Sequence, residues 1–115
     1  MAGLQREMKR GTLELVLLAL LEERDRYGYE LVSDLEGRGG EFFQVKEGTL
    51  YPVLYRLEDN GWIESYRDIP KRGVPRKYYR LTEQGREYLA TLRGEWSRFR
   101  DAVERFLEGD DHGQH

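Results

Sequence analysis

Lys46-Glu47-Gly48-Thr49-Leu50-Tyr51-Pro52-Val53-Leu54-Tyr55-Arg56-Leu57-Glu58-Asp59-Asn60-Gly61-Trp62 sets the architecture of this chain. On a wheel of 3.6 residues per turn, Leu50, Val53, Leu54 and Leu57 gather on one side. Gly48, Tyr51, Pro52, Tyr55, Arg56 and Asp59 spread over the other. The spacing predicts a short helix that anchors in a core by one face and offers an aromatic, polar face to a ligand. Pro52 lacks a backbone donor and is tolerated only near a helix start, which places that start within a residue or two of Gly48. Asn60-Gly61 ends the helix.

Working upstream, Leu13, Val16, Leu17, Leu20 and Leu21 recur at helical spacing over residues 12–23, with Gly11 or Thr12 as the expected cap. A second helical pattern runs from Tyr27 to Leu35 and is expected to break at Gly37, Gly39 and Gly40. Glu41 to Val45 reads as a short extended connector. Working downstream, the period changes to two in Trp62–Arg67 and again in Arg76–Leu81, both rich in aromatic residues. Between them Asp68-Ile69-Pro70-Lys71-Arg72-Gly73-Val74-Pro75 carries two prolines and a glycine, as the tip of a β-hairpin requires. Three helices followed by a hairpin is the order of a winged helix-turn-helix, in which the quoted helix reads DNA.

The last segment, capped by Thr82 and running to about Glu108, is too long to fold back on so small a core. Along it Leu89, Leu92, Trp96, Phe99, Val103 and Phe106 follow alternating steps of three and four, the seam of a helix that packs on another helix. A second copy of the chain is the simplest cover for that seam, since large apolar side chains left in water invite association. The alternative is packing within one chain against the first helix. The expected fold class is therefore mainly α with a small β-hairpin: a winged helix-turn-helix over residues 1–81, a dimerisation helix over 82–108, and a disordered tail over 109–115.

Composition narrows the function. With 115 residues the chain is long enough for one modest core. It has no cysteine and no apolar run long enough to cross a bilayer or act as a signal peptide, so a cytoplasmic protein without a membrane partner is expected. The formal net charge of -3 is unusual for a nucleic-acid binder, but the charge is sorted along the chain. Residues 67–80 hold six bases against one acid, whereas residues 81–115 hold five bases against eight acids. Alone the basic run also reads as a solvated loop; its place after a reading helix favours phosphate contact.

Chemistry has little to work with. The two histidines lie in the tail, and no serine occupies a nucleophile elbow or a place beside a base, so no enzyme and no cofactor are expected. Asp110, Asp111, His112 and His115 form a weak divalent-metal pattern that reads better as plain tail, and no metal site is expected. Gly37-Arg38-Gly39-Gly40 lacks the strand-to-helix context of a phosphate-cradling loop.

Three blocks carry a family resemblance: Tyr27-Gly28-Tyr29-Glu30-Leu31; Gly48-Thr49-Leu50-Tyr51-Pro52 with Leu54, Arg56-Leu57-Glu58 and Gly61; and Arg76-Lys77-Tyr78-Tyr79-Arg80-Leu81-Thr82. In this order, and over nearly all of residues 11–106, the chain resembles the PadR family of bacterial transcriptional regulators, in its small branch with a single C-terminal helix. The resemblance implies a homodimer that binds a palindromic operator in double-stranded DNA, usually as a repressor, with the wing on the adjacent backbone. Lys46, Gly48, Thr49, Tyr51, Pro52, Tyr55 and Arg56 are then the expected contacts from the reading helix, and Lys71, Arg72, Arg76 and Lys77 those from the wing. Lys46 and Tyr55 depart from the family pattern, where a serine and a basic residue are expected. In drug-responsive members a tryptophan at the place of Trp96 stacks on planar aromatic compounds between the subunits, so Trp96 and Phe99 are candidate effector contacts. Trp96 as plain filler of the dimer seam is the other reading. A winged-helix module that binds protein rather than DNA is the rival function, and the basic wing weighs against it.

Overall fold

The computed structural model describes residues 2–109, with side chains from residue 11 onward. The chain order is α1 (Ala2–Glu23), β1 (Arg26–Tyr27), α2 (Gly28–Gly39), a 3₁₀ turn (Gly40–Phe43), α3 (Glu47–Asp59), β2 (Ile63–Asp68), β3 (Arg76–Leu81) and α4 (Glu83–Leu107). The fold is a winged helix-turn-helix with a long C-terminal helix, mostly helical, as the periodicities predict.

The core is leucine from four helices laid against one face of a small sheet. Leu13, Leu17, Leu18, Leu20 and Leu21 of α1 meet Leu31 and Leu35 of α2, Leu50, Leu54 and Leu57 of α3, and Leu89 of α4, with Ile63, Tyr79 and Leu81 from the sheet. Burial of each such side chain contributes about 1.5–3 kcal/mol, so this cluster is the main term holding α3 in place. The sheet is antiparallel in the order β1-β3-β2. Its hairpin runs in register from Ile63 opposite Leu81 to Asp68 opposite Arg76, and β1 adds Arg26 opposite Tyr79 and Tyr27 opposite Tyr78.

Helix boundaries follow local chemistry. At the end of α3 the Trp62 N–H bonds the Leu57 carbonyl at 3.0 Å and the Gly61 N–H bonds that of Glu58 at 3.0 Å. This Schellman closure needs a left-handed residue, and Gly61 supplies it at φ +78°. At the start of α4 the Thr82 hydroxyl accepts from the Gly85 N–H at 2.9 Å and donates to the Gly61 carbonyl at 2.6 Å. One side chain thus joins the end of α3 to the start of the last helix. Gly85 is needed there, because a Cβ would strike the Trp62 backbone carbonyl.

Three expectations are corrected, and one element is new. α1 begins at Ala2 rather than near Gly11 or Thr12, because residues 2–10 are largely strong helix formers and one interior glycine, costing about 1 kcal/mol, does not stop a helix. α2 passes through Gly37 to Gly39 for the same reason. Residues 41–43 are not extended, since a 3₁₀ turn takes up Gly40–Phe43, and the chain becomes extended only at Gln44. The strand β1 has only two residues, too few to show a period, and exists because β3 offers it a partner edge. The expected tail over 110–115 and its metal pattern lie outside the described residues.

The seam of α4 is divided. Leu89 is fully buried in the chain's own core, which leaves it no surface for a second subunit, whereas Leu92 packs against that core and is only partly buried. Beyond them Trp96, Phe99, Val103, Phe106 and Leu107 are exposed, Phe106 at 86 %. Among the described residues no helix is long and apolar enough to cross a membrane, and no cluster of three or more His, Cys, Asp or Glu forms.

Candidate nucleic-acid interface

The outer face of α3 carries most of the contact residues that the sequence leads one to expect. Lys46 is its N-cap residue, in extended conformation with no side-chain cap bond, so the first backbone N–H groups rely on the Lys46 carbonyl, which accepts from Thr49 and Leu50 at 2.9 Å each. Gly48, Thr49, Pro52, Tyr55, Arg56 and Asp59 are all exposed. Pro52 is the sixth helical residue, in a helix that starts one residue before Gly48 as expected, and it cannot donate the helical bond to the Gly48 carbonyl.

The two tyrosines of α3 separate in role. Tyr55 is 52 % exposed, while Tyr51 is half-buried with its hydroxyl against Gly28 at the start of α2. A methyl at Gly28 would collide with that hydroxyl. Two of the sequence blocks, Tyr27-Gly28-Tyr29 and Gly48–Pro52, are therefore two sides of one contact, and Tyr51 fixes the angle between α2 and α3. Beneath them Tyr79 of β3 is 1 % exposed, its hydroxyl without a hydrogen-bond partner among the described residues. Burial, with lesser contributions from Tyr51, Glu58 and Tyr55, pushes its pKa up to about 12.

Arg56 is committed inward as well. Its guanidinium forms an ion pair with Glu14 of α1, a buried carboxylate that also accepts the Tyr88 hydroxyl of α4 at 3.1 Å. Burial raises the Tyr88 pKa, helped by Glu14. The Tyr88 ring stacks on Trp62 at 3.5 Å between centroids. Arg56, Glu14, Tyr88 and Trp62 thus tie α1, α3 and α4 together, and Arg56 faces this network rather than the centre of the exposed face. Glu14 gave no sequence signal beyond an acid inside an apolar stripe.

The hairpin carries the wing cations in three settings. Lys71 and Arg72 project from the exposed tip between β2 and β3, beside exposed Ile69 and Val74. Gly73 turns that tip at φ +104°. Arg76 lies 4.7 Å over the Tyr27 ring, on the sheet face away from the core. There Tyr78 packs between Tyr27 and Tyr66, and the Tyr66 hydroxyl donates to Asp25 at 2.7 Å, a bond that raises its pKa. Lys77 lies on the other face, 5.8 Å over Tyr55 and 5.5 Å over Tyr79, so it alone of the expected wing residues adjoins α3.

A second structural residue that escaped sequence reasoning is Arg26. It is buried, bonded to Asp34 at 2.5 Å and Glu23 at 3.2 Å, and donates to the Leu20 carbonyl at the end of α1. It caps α1 and pins α2 beside it. On α4, Trp96 and Phe99 sit with ring centroids 6.2 Å apart, both exposed.

Comparison with known proteins agrees with this geometry. Residues 17–91 match the model of the transcriptional regulator PadR-like family. The chain is 43 % identical over 100 residues to a protein of Lysinibacillus sphaericus, covering 87 % of this chain and 92 % of that one. It is 31 % identical over 77 residues to the negative transcriptional regulator PadR of Bacillus subtilis strain 168, covering 67 % of this chain but 42 % of that longer protein. Among solved structures, a PadR-like transcriptional regulator from Bacillus cereus superposes with TM-score 0.80 at 34 % identity, covering 90 % of this chain and 98 % of that one.

Proposed function

Because the chain belongs to the PadR-like family of transcriptional regulators, a family of DNA-binding regulators and not enzymes, we propose that it acts as a homodimeric repressor on a pseudo-palindromic operator. The observation that carries the reading is the pairing of an exposed α3 face, centred on Gly48, Pro52 and Tyr55, with cations on the adjoining hairpin. Tyr55 and Thr49 bring hydroxyls to base edges or phosphates, and Lys46 adds charge at the helix start. Lys71, Arg72 and Lys77 neutralise phosphates, which supplies affinity and salt dependence rather than sequence choice. Tyr51 and Arg56 hold α3 in the pose that lets these groups reach.

Residues 1–81 form the reading unit in this proposal and residues 82–108 carry dimerisation. The division is soft at its boundary, since the first turns of α4 belong to the core. Trp96, Phe99, Val103 and Phe106 form the subunit seam. Five large apolar side chains exposed along the outer half of one helix favour that cover over solvent. Two reading helices related by the dimer axis then meet successive major grooves about 34–36 Å apart. A planar aromatic effector stacking on Trp96 between the subunits would alter that separation and release the operator.

Sedimentation velocity and fluorescence anisotropy test the reading together. A species of twice the chain mass that binds operator DNA, and loses affinity on Tyr55→Ala without loss of fold, supports it. A monomer at micromolar concentration, or unchanged affinity in the Tyr55 variant, counts against the seam or the reading face respectively. Quenching of tryptophan fluorescence by planar aromatic compounds, absent in Trp96→Ala, tests the effector.

A further inference from the structure

The inner face of the hairpin forms a ladder of cross-strand pairs that leaves the core one rung at a time. Ile63 and Leu81 make the buried rung, and Ser65 and Tyr79 the next. The Ser65 hydroxyl donates to Glu58 of α3 at 2.7 Å, which fixes this face against the reading helix. The following rung is Arg67 directly opposite Lys77. By the alternation of strand side chains both lie on the same face as Tyr79, and Lys77 stands 5.8 Å over the ring of Tyr55.

Two cations directly opposite one another weaken a hairpin. Here neither is relieved: among the described residues no carboxylate forms an ion pair with Arg67 or Lys77, although Arg80 and Glu64, also opposed on this hairpin, are paired at 2.7 Å. The exposed Tyr55 hydroxyl also has no hydrogen-bond partner among the described residues. Arg67 and Lys77 thus form an opposed cation pair on the face where Lys77 stands over the Tyr55 ring, and the Glu58 carboxylate on that face is engaged by Ser65. Arg67 belongs to the basic run of the sequence but is not among the expected contacts, because only the register shows which face it takes.

We propose that Arg67, Lys77 and Tyr55 form one seat for a backbone phosphate of the bound DNA, at the junction between the major-groove helix and the wing. This rests on the DNA-binding reading above. The seat positions the duplex and makes no choice among bases, so its loss weakens operator and unrelated DNA alike. In free protein the same pair is a cost, which an uncharged residue removes.

The test is the dependence of the binding constant on salt, measured for the unsubstituted protein and for Arg67→Gln, with Arg93→Gln on α4 as a charge control. Removal of one phosphate contact lowers the slope of log K against log salt by about 0.9, so the deficit of the variant shrinks about 3.5-fold between 50 and 200 mM salt. Arg93→Gln leaves the slope unchanged. Ethylation interference locates the phosphate, with one position per half-site lost in the variant. In urea at low salt, free Arg67→Gln unfolds at a higher midpoint than the unsubstituted protein. An intact operator complex with unaltered slope in Arg67→Gln overturns the seat alone, and so does a lowered urea midpoint, which would make Arg67 structural. No discrete complex from the unsubstituted protein would overturn the DNA reading, and the seat with it.

Discussion

Replacing Tyr79 by phenylalanine is expected to stabilise this protein, the reverse of most core substitutions. The ring is 1 % exposed and fills the space between the sheet and α3, while its hydroxyl has no hydrogen-bond partner among the described residues. A buried polar group left unpaired costs about 1–3 kcal/mol, and Tyr79→Phe removes that group while keeping the ring packing. Allowing for the small void left by the oxygen, the net gain at neutral pH is about 1 kcal/mol. The assay is urea unfolding at fixed protein concentration, where a gain in stability moves the midpoint without changing the slope.

The sign of the pH dependence follows from the same atom. The folded pKa of about 12 lies above the ordinary tyrosine value of 10, so the stability linked to Tyr79 is fully present below pH 10 and is lost as pH rises from 10 towards 12. A two-unit difference corresponds to about 2.7 kcal/mol in full, of which about 2.3 kcal/mol is lost by pH 12. Tyr79→Phe should flatten the alkaline fall, leaving the part due to Tyr66 and Tyr88, whose pKa values are also raised. A variant less stable by about 0.5 kcal/mol or more at pH 7 would refute the reasoning, because it would mean that the hydroxyl has a partner worth keeping.

The neighbouring residues make contrasting expectations. Tyr55→Ala, at an exposed site, should weaken operator binding with a stability change within about 0.5 kcal/mol by urea titration. Arg56→Ala should instead destabilise the fold by about 1–3 kcal/mol in the same titration, since it strips buried Glu14 of its counter-charge; the figure is kept low because Arg56 is itself half-exposed. Gly85→Ala should cost about 1–3 kcal/mol or prevent folding, read by circular dichroism and thermal unfolding, because the new methyl meets a backbone carbonyl rather than a movable side chain. Phe106→Arg should leave the winged domain folded while shifting sedimentation towards monomer, as Phe106 is exposed and remote from the core.

Periodicity made the large features legible. Leu50, Leu54 and Leu57 mark the buried face of α3, Asn60-Gly61 marks its end, and the prolines and glycine of residues 69–75 mark the hairpin tip. Thr82 is the cap expected. What periodicity could not reveal was set by tertiary contact. A two-residue strand at Arg26–Tyr27 has no period, and only the free edge of β3 calls it into being. Leu92 and Phe106 occupy equivalent heptad positions, yet one packs against the core and the other is bare, because the core ends partway along α4.

The candidate interface divides in the same way. Gly48, Pro52 and Tyr55 take the exposed face that the wheel assigns them. Arg56 and Tyr51 are placed by partners distant in sequence, Glu14 and Gly28, and no reading of the helix alone could anticipate those contacts. The faces of Arg76 and Lys77 depend on strand register, which puts adjacent cations on opposite sides of the sheet.

The central claim is that this chain binds a particular DNA sequence as a dimer. The most direct measurement is a gel shift of the purified protein on the DNA immediately upstream of its own coding region, near physiological salt, with an excess of unrelated DNA of equal length. The account predicts a discrete complex that survives the competitor and contains two chains per duplex. Binding abolished by the competitor, or no shift at all, would contradict it.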